Sequence, residues 1–356
     1  MAAAPTRVLV IDDSAVVRKL LGDALRLEPG VEVVGGAADP YAARDMIMRL
    51  KPDFLTLDIE MPRMDGLTFL GKLMASHPLP TIVVSSLTQA GSQASLEALR
   101  LGAIDVIAKP GGPTAVAQLG DELRQRLRTF RAGPPPRLVR PSVTPAATPT
   151  RAFPKLSRGL FLIGASTGGT QAIETILSRL PADLPPIVIV QHMPPVYTRL
   201  FAERMNSTCA LTVIEAQGDE VLQRGMVYIA PGGYHLTLEA SGVQIRTRLN
   251  QEPQMHFQRP AVDALFQSAC RLRGVPIVAA LLTGMGADGA DGMVSLRKAG
   301  ATTIAEAEES CVVFGMPREA IARGGAVEVA SLLDIPTRMT EAMAALLQPA
   351  VGSHHG

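Results

Sequence analysis

The stretch Gly164-Ala-Ser-Thr-Gly-Gly169 follows directly on the apolar run Leu160–Ile163. The spacing Gly-x-Ser-x-Gly suits a nucleophilic serine, because flanking glycines permit the tight turn that exposes a hydroxyl at the end of a strand. Two other loop chemistries fit worse. A Walker-type phosphate loop needs a lysine just past its glycines, and Thr170-Gln171 stand there instead. The dinucleotide pattern G-x-G-x-x-G is not met either. A serine hydroxyl needs a base to react. His192 lies in IVIVQHMP, just beyond the apolar run Ile187–Val190, and Asp288 lies in LTGMGADG, after Ile277–Leu282. Ser166, His192 and Asp288 thus follow three strand candidates in the order Ser–His–Asp. An α/β-hydrolase runs Ser, acid, His, but triads recur by geometry rather than chain order. Each residue also fits a structural role: Ser166 and Asp288 as caps of the helices that follow them, His192 as a hydrogen-bonded turn residue. Among the other histidines, His235 falls in a hairpin strand, His256 in a polar loop beside a prospective substrate cleft, and His77 next to a proline.

A second set of reactive types lies nearer the N-terminus. Asp12 and Asp13 follow the first apolar run, Asp58 follows Phe54–Leu57, Ser85 and Ser86 follow Ile82–Val84, and Lys109 follows Asp105–Ile107. In an open α/β sheet the loops at the carboxyl ends of the strands meet in one crevice. Three carboxylates gathered there make an oxygen-rich pocket suited to Mg2+. Asp58 can present an oxygen to a phosphoryl group, with Lys109 and a serine hydroxyl compensating the incoming charge. Taken alone, Asp58 also fits a capping or turn aspartate.

These residues require strands alternating with helices, and the pattern provides them twice. In the first part, runs at Arg7–Ile11, Val31–Ala37, Phe54–Leu57, Ile82–Val84 and Asp105–Ile107 alternate with helical spacing at Val16–Leu27, Ala42–Leu50, Ser95–Leu101 and Val116–Phe130. That order predicts a doubly wound parallel sheet of about five strands. In the second part, Leu160–Ile163, Ile187–Val190, Thr212–Ile214, Met226–Ile229 and Ile277–Leu282 read as strands. Thr170–Ser178, Thr198–Ser207, Val262–Ala269 and Asp288–Ala299 read as helices. His235–Arg248 reads as a hairpin turning at Ser241-Gly242. Between the two parts, Arg131–Pro154 holds seven prolines among small and basic residues, the composition of an extended linker. The expected domains are therefore 1–130 and 155–349, joined through 131–154.

With 356 residues, 47 % of them hydrophobic, the chain can bury two cores, built on aliphatic residues since Trp is absent. A formal net charge of +1 argues against a dedicated nucleic-acid binder. Cys209, Cys270 and Cys311 have neither zinc-site spacing nor a disulfide framework, as expected of a reducing compartment. No apolar run reaches membrane-spanning length, and Met1–Thr6 opens no signal peptide. Ser353–Gly356 reads as a tail.

VLVIDDSAVVR, LTLDIEMPRMDGL and VIAKP together resemble a response-regulator receiver domain. The resemblance implies that Asp58 accepts a phosphoryl group, that Asp12, Asp13 and Asp58 hold Mg2+, that Lys109 contacts the phosphate, and that Ser85 supplies the switch hydroxyl, with Ser86 its neighbour. Receivers often carry an aromatic switch residue where this chain has Val106. GASTGG, QHMPP, LTGMGADG and SCVVFGMPREAI resemble the catalytic domain of the chemotaxis-specific protein-glutamate methylesterase/glutaminase family. With the receiver, the resemblance covers nearly all of the chain outside the linker and tail. It implies a Ser166–His192–Asp288 triad, an oxyanion-side loop at Met285, and no cofactor for the ester chemistry. It further implies methyl-accepting chemotaxis receptors as substrates, a chemotaxis histidine kinase as phosphodonor, and a cytoplasmic enzyme acting at membrane-bound receptors without inserting. Where members of the family often carry Asp-Glu, this chain has Ala307-Glu308. A phosphorylation switch whose second domain only binds a partner, and an esterase of small molecules, are the rival classes.

Overall fold

The computed structural model describes residues 4–86, 89–109, 115–132, 159–242 and 244–348. The chain divides into two compact units, Met1–Pro141 and Ser142–Gly356.

The first unit runs β1 (Thr6–Ile11), α1 (Ala15–Arg26), β2 (Val31–Ala37), α2 (Pro40–Leu50), β3 (Phe54–Asp58), α3 (Gly66–Ser76), β4 (Thr81–Ser86), α4 (Gln89–Leu101), β5 (Asp105–Lys109) and α5 (Ala115–Ala132). Its strands form a parallel sheet in the order β2-β1-β3-β4-β5. The central strand β3, FLTLD, is buried at every residue, as a parallel strand covered on both faces must be. Short polar side chains start the helices: Ser14 accepts the Val17 N–H, Asp39 the Tyr41 and Ala42 N–H groups, and Asp65 the Thr68 N–H. Helix α5 extends to Ala132, so the first two residues of the expected linker continue a helix. The rest of that linker, through Pro154, lies outside the described residues.

The second unit continues with β6 (Leu160–Ala165), α6 (Gly169–Leu177), β7 (Ile187–Gln191), α7 (Tyr197–Thr208), β8 (Thr212–Glu215), β9 (Met226–Ile229), β10 (His235–Ser241), β11 (Gln244–Asn250), α8 (Val262–Ala269), β12 (Ile277–Leu281), α9 (Ala290–Lys298), β13 (Thr302–Glu306), α10 (Met316–Ala322), β14 (Glu328–Ala330) and α11 (Ile335–Leu346). Seven strands pair in parallel in the order β14-β13-β12-β6-β7-β9-β8. The strands β10 and β11 form the expected antiparallel hairpin beside this sheet. β6, β7 and β12 are buried along their whole length, and Leu160, Leu162, Val188, Val190, Ala279 and Leu281 share one core with Leu265 and Phe266 of α8. β6 pairs with β7 on one side and β12 on the other, so the direction of winding reverses beside it. The carboxyl ends of these three strands therefore open onto one crevice, where ligands of open α/β sheets bind.

Candidate active site

Ser166 follows the last residue of β6, His192 the last residue of β7, and Asp288 closes the loop after β12. Because the strands are neighbours, the three side chains meet. His192 Nδ1 lies 3.0 Å from Ser166 Oγ, and His192 Nε2 lies 2.8 Å from Asp288 Oδ2. The imidazole is 5 % exposed and the Asp288 carboxylate 1 % exposed.

Asp288 is further held by backbone. Its Oδ2 accepts the Val262 N–H at 2.7 Å and its Oδ1 the Asp263 N–H at 2.9 Å. Helix α8 has no side-chain cap at Ala261, so this distant carboxylate takes amides that the helix leaves open. Burial alone would raise the Asp288 pKa; the hydrogen bond and charge of His192, with the two backbone donors, hold it below the usual value. An ionised carboxylate is an acceptor only. The proton it shares with the imidazole must then sit on Nε2, which leaves the Nδ1 lone pair facing the Ser166 hydroxyl.

The serine loop is clamped from several sides. Ser166 N–H donates to the Thr283 carbonyl at 3.1 Å, and Gln191 Nε2 donates to the Ser166 carbonyl at 2.8 Å. Gly168 turns the chain into α6 at φ +78°, a conformation that glycine adopts at least cost. Gly284, next to Met285, packs so closely that a Cβ there would lie 2.8 Å from the Ser166 Cβ. Met285 therefore belongs to a loop that lies against the serine.

Two of the other histidines have structural partners. His235 is buried and joins the Pro253 carbonyl, 3.1 Å from Nε2, to the Ala261 N–H, 3.2 Å from Nδ1. His256 Nε2 lies 2.9 Å from Asp263 Oδ2, one residue beyond the first amide that binds Asp288. Asp263 Oδ1 accepts the Gly292 N–H at 2.7 Å, serving α9 as Asp288 serves α8. Burial raises the Asp263 pKa, and the Asp288 charge adds to it. The sequence reading passed over Gln191, Asp263 and Thr283. Only the position of Asp263, in the first turn of a helix just after a proline, marks it in the sequence.

In the first unit, Asp12, Asp13 and Asp58 can place one oxygen each within 4.8 Å of the others. Lys109 Nζ lies 2.9 Å from Asp12 Oδ2 and 2.7 Å from Asp58 Oδ2. Both oxygens are buried and, although within ion-pair distance, neither has a well-directed hydrogen bond. A hard divalent cation with oxygen ligands fits that donor set. Burial pushes the Asp58 pKa up and the neighbouring Asp12 charge adds to this, while Lys109 opposes both. Burial would lower the Lys109 pKa, but the two carboxylates outweigh it and keep the ammonium charged. Ser85 is buried at the end of β4, with its hydroxyl 3.3 Å from the Gly91 carbonyl. Val106 is buried on β5.

A receiver-domain family model matches residues 8–119, and the model of the CheB methylesterase family matches residues 161–339. A protein-glutamate methylesterase/protein-glutamine glutaminase of Syntrophus aciditrophicus is 47 % identical over 331 residues, covering 92 % of this chain and 96 % of the relative. One from Dechloromonas aromatica is 47 % identical over 346 residues, covering 96 % of this chain and 99 % of the relative. Among solved structures, the Thermotoga maritima CheB methylesterase catalytic domain matches with a TM-score of 0.51 at 42 % identity, over 52 % of this chain and 99 % of that one.

Proposed function

Because this chain belongs to the CheB family of protein-glutamate methylesterases, with a response-regulator receiver ahead of the catalytic unit, we propose that it hydrolyses glutamate methyl esters on chemotaxis receptors through Ser166, His192 and Asp288. The observation that carries this reading is the continuous hydrogen-bonded path from Ser166 Oγ through His192 to Asp288, at 3.0 and 2.8 Å.

His192 Nδ1 removes the Ser166 proton as Oγ attacks the ester carbonyl carbon. Asp288 fixes the Nε2–H tautomer and stabilises the imidazolium that forms. The oxyanion is received on the side of the Met285 loop, where each preorganised donor contributes about 3–4 kcal/mol to the transition state. The imidazolium then protonates the leaving methoxide, and methanol departs from the acyl-serine. Water gives a proton to His192 as it attacks the acyl carbon, and the imidazolium returns that proton to the departing Ser166 Oγ, so that free Ser166 and the glutamic acid side chain, which then ionises, are released. A glutamine side chain follows the same course, with ammonia as the leaving group. No cofactor enters these steps.

The same proposal gives the first unit its part. Asp58 accepts a phosphoryl group from a chemotaxis histidine kinase, Lys109 contacts the phosphate, and Ser85 supplies the switch hydroxyl. Asp12, Asp13 and Asp58 would hold Mg2+, which when bound neutralises charge on the phosphoryl oxygens. The buried Val106 offers no aromatic ring for the switch, so the signal travels by another element. Domains 1–130 and 155–349 are joined through 131–154, and phosphorylation at Asp58 raises the hydrolytic rate of the full chain. Among the described residues no helix is long and apolar enough to cross a membrane, and the enzyme works from the cytoplasm on receptors held in the membrane.

Methanol release from methylated receptor is the test. Ser166→Ala should abolish it in folded protein, and substantial turnover by that variant would remove Ser166 from the nucleophile's place.

A further inference from the structure

One buried acid close behind the serine loop is not used by the ester chemistry. Glu306 ends β13 and is wholly buried. Its partners are hydrogen-bond donors. Oε2 accepts the Thr283 N–H at 2.7 Å, and Oε1 accepts the Ser310 hydroxyl at 3.0 Å. Thr283 in turn supports the nucleophile. Its carbonyl accepts the Ser166 N–H at 3.1 Å, and its hydroxyl donates to the Thr167 carbonyl at 2.9 Å. The same hydroxyl oxygen accepts the Val313 N–H at 2.9 Å. Thr283 is thus fixed through nitrogen, carbonyl and side chain, and Glu306 holds the nitrogen.

The surroundings of Ser310 satisfy Glu306 in either protonation state. Ser310 Oγ accepts the Leu332 N–H at 3.0 Å and has a second carbonyl in reach, that of Ala307 at 3.2 Å. With Glu306 ionised, Ser310 donates to the carboxylate. With Glu306 protonated on Oε1, the acid donates to Ser310 Oγ and the serine proton turns to Ala307. The Thr283 N–H is paired in both states, to a charged oxygen in one and a neutral oxygen in the other. Hydrogen bonds to charged groups are the stronger kind.

We infer that Glu306 is a positioning residue for Ser166, holding the nucleophile's loop through Thr283 with a strength set by one proton exchanged on the Glu306–Ser310 pair. This rests on the reading of Ser166 as the nucleophile. Burial raises the Glu306 pKa to about 7, against the opposing donors Thr283, Ser310 and Cys311 and with the Glu309 charge adding to the rise. The titratable neighbours are Cys311, Glu308 and Glu309. Burial pushes the Cys311 thiol far up, so it stays neutral, and the charges of Glu306, Glu308 and Glu309 add to that shift.

The test is the rate at which a phosphonofluoridate, a reagent that phosphonylates activated serines, labels Ser166 in the full chain as pH is varied. Glu306→Gln keeps an acceptor for Thr283 and a donor for Ser310, so it reproduces the protonated arrangement at every pH. Dividing the wild-type rate by the E306Q rate cancels every pH dependence that the two proteins share. The expected ratio is flat well below the Glu306 pKa and rises by roughly threefold to tenfold above it, the scale of exchanging a neutral for a charged hydrogen bond. Ser310→Ala removes a donor to the carboxylate and should move the rise to higher pH. A ratio that is flat or falls throughout, with the label still on Ser166, overturns the role of Glu306. Label on another serine, or Ser166→Ala labelled like the wild type, overturns the nucleophile assignment instead.

Discussion

The carboxylate of Asp288 accepts the backbone N–H of Val262 at 2.7 Å, and the same oxygen accepts from His192 Nε2 at 2.8 Å. One side chain therefore orients the imidazole and closes the open end of α8. Removing it should show in two measurements. Asp288→Ala leaves the buried Val262 and Asp263 amides unpaired, a cost of about 1–3 kcal/mol for each group that finds no new partner. Asp288→Asn keeps one acceptor oxygen and should lose less stability. Both should lose about 10³–10⁴-fold in kcat, because the imidazole no longer has the right tautomer held in place. Thermal unfolding and initial methanol release read the two effects separately. An alanine variant as stable as the wild type would end the capping role.

In the proposed chemistry Ser166 and His192 act on one proton, so their losses should not add. Ser166→Ala and His192→Ala are each expected to remove nearly all methanol release, and the double variant should fall no further than either alone. Multiplicative losses in the double variant would show that His192 acts elsewhere than on the Ser166 hydroxyl.

Asp58→Asn should block phosphoryl incorporation from the kinase while leaving the basal hydrolysis of the unphosphorylated chain in place. Chelating Mg2+ should have the same pair of effects, since the residues suited to the cation are Asp12, Asp13 and Asp58 and none of them belongs to the triad. Mapping the acyl phosphate to any other residue would sink the assignment.

Glu306 sets a pH dependence of stability with a definite sign. Its folded pKa of about 7 stands above the 4.5 of an unperturbed glutamate. Between those values the folded state binds more protons than the unfolded one, so stability falls as pH rises through the window and levels off above it. The favourable contribution is complete below the unfolded pKa and gone above the folded one. At 1.36 kcal/mol per unit the span is about 3 kcal/mol at most. Glu306→Gln removes this loss, so the variant should unfold at a higher temperature than the wild type above neutrality and gain nothing near pH 4.5. Melting curves of the full chain across that range check it. An equal difference at both ends of the range would exclude a titration of Glu306.

The strands that position the site were legible because they are buried on both faces and read as unbroken apolar runs: β6, β7 and β12 carry no charged residue. Ser166, His192 and Asp288 stood out because each follows such a run. Helix α3, opening on Gly66, was passed over, and so were β13, β14, α10 and α11 beyond the site. TTIAE, the sequence of β13, is short, lightly apolar and ends on a charge. Nothing local shows that this charge lies in the interior against Thr283. Asp263 was hidden in the same way, since a first-turn aspartate ordinarily faces water as a helix-favouring charge. Its place beside Asp288 follows from packing between α8 and the loop after β12, which no single segment encodes. The helix α5 outran its expected end, because Arg131 and Ala132 are good helix formers and the proline run starts only at Pro134.

The pairing of β6 with β12, from Leu160 opposite Ile277 to Gly164 opposite Leu281, joins the start of the second unit to a segment made much later. A ribosome that has passed His192 has made the serine and the histidine but neither the acid nor β12, the strand that pairs beside β6. Such non-local pairing is slow and comes late in folding. A chain that ends before β12 therefore carries Ser166 and His192 without the carboxylate that holds the imidazole. The three side chains come together only with the last third of the polypeptide.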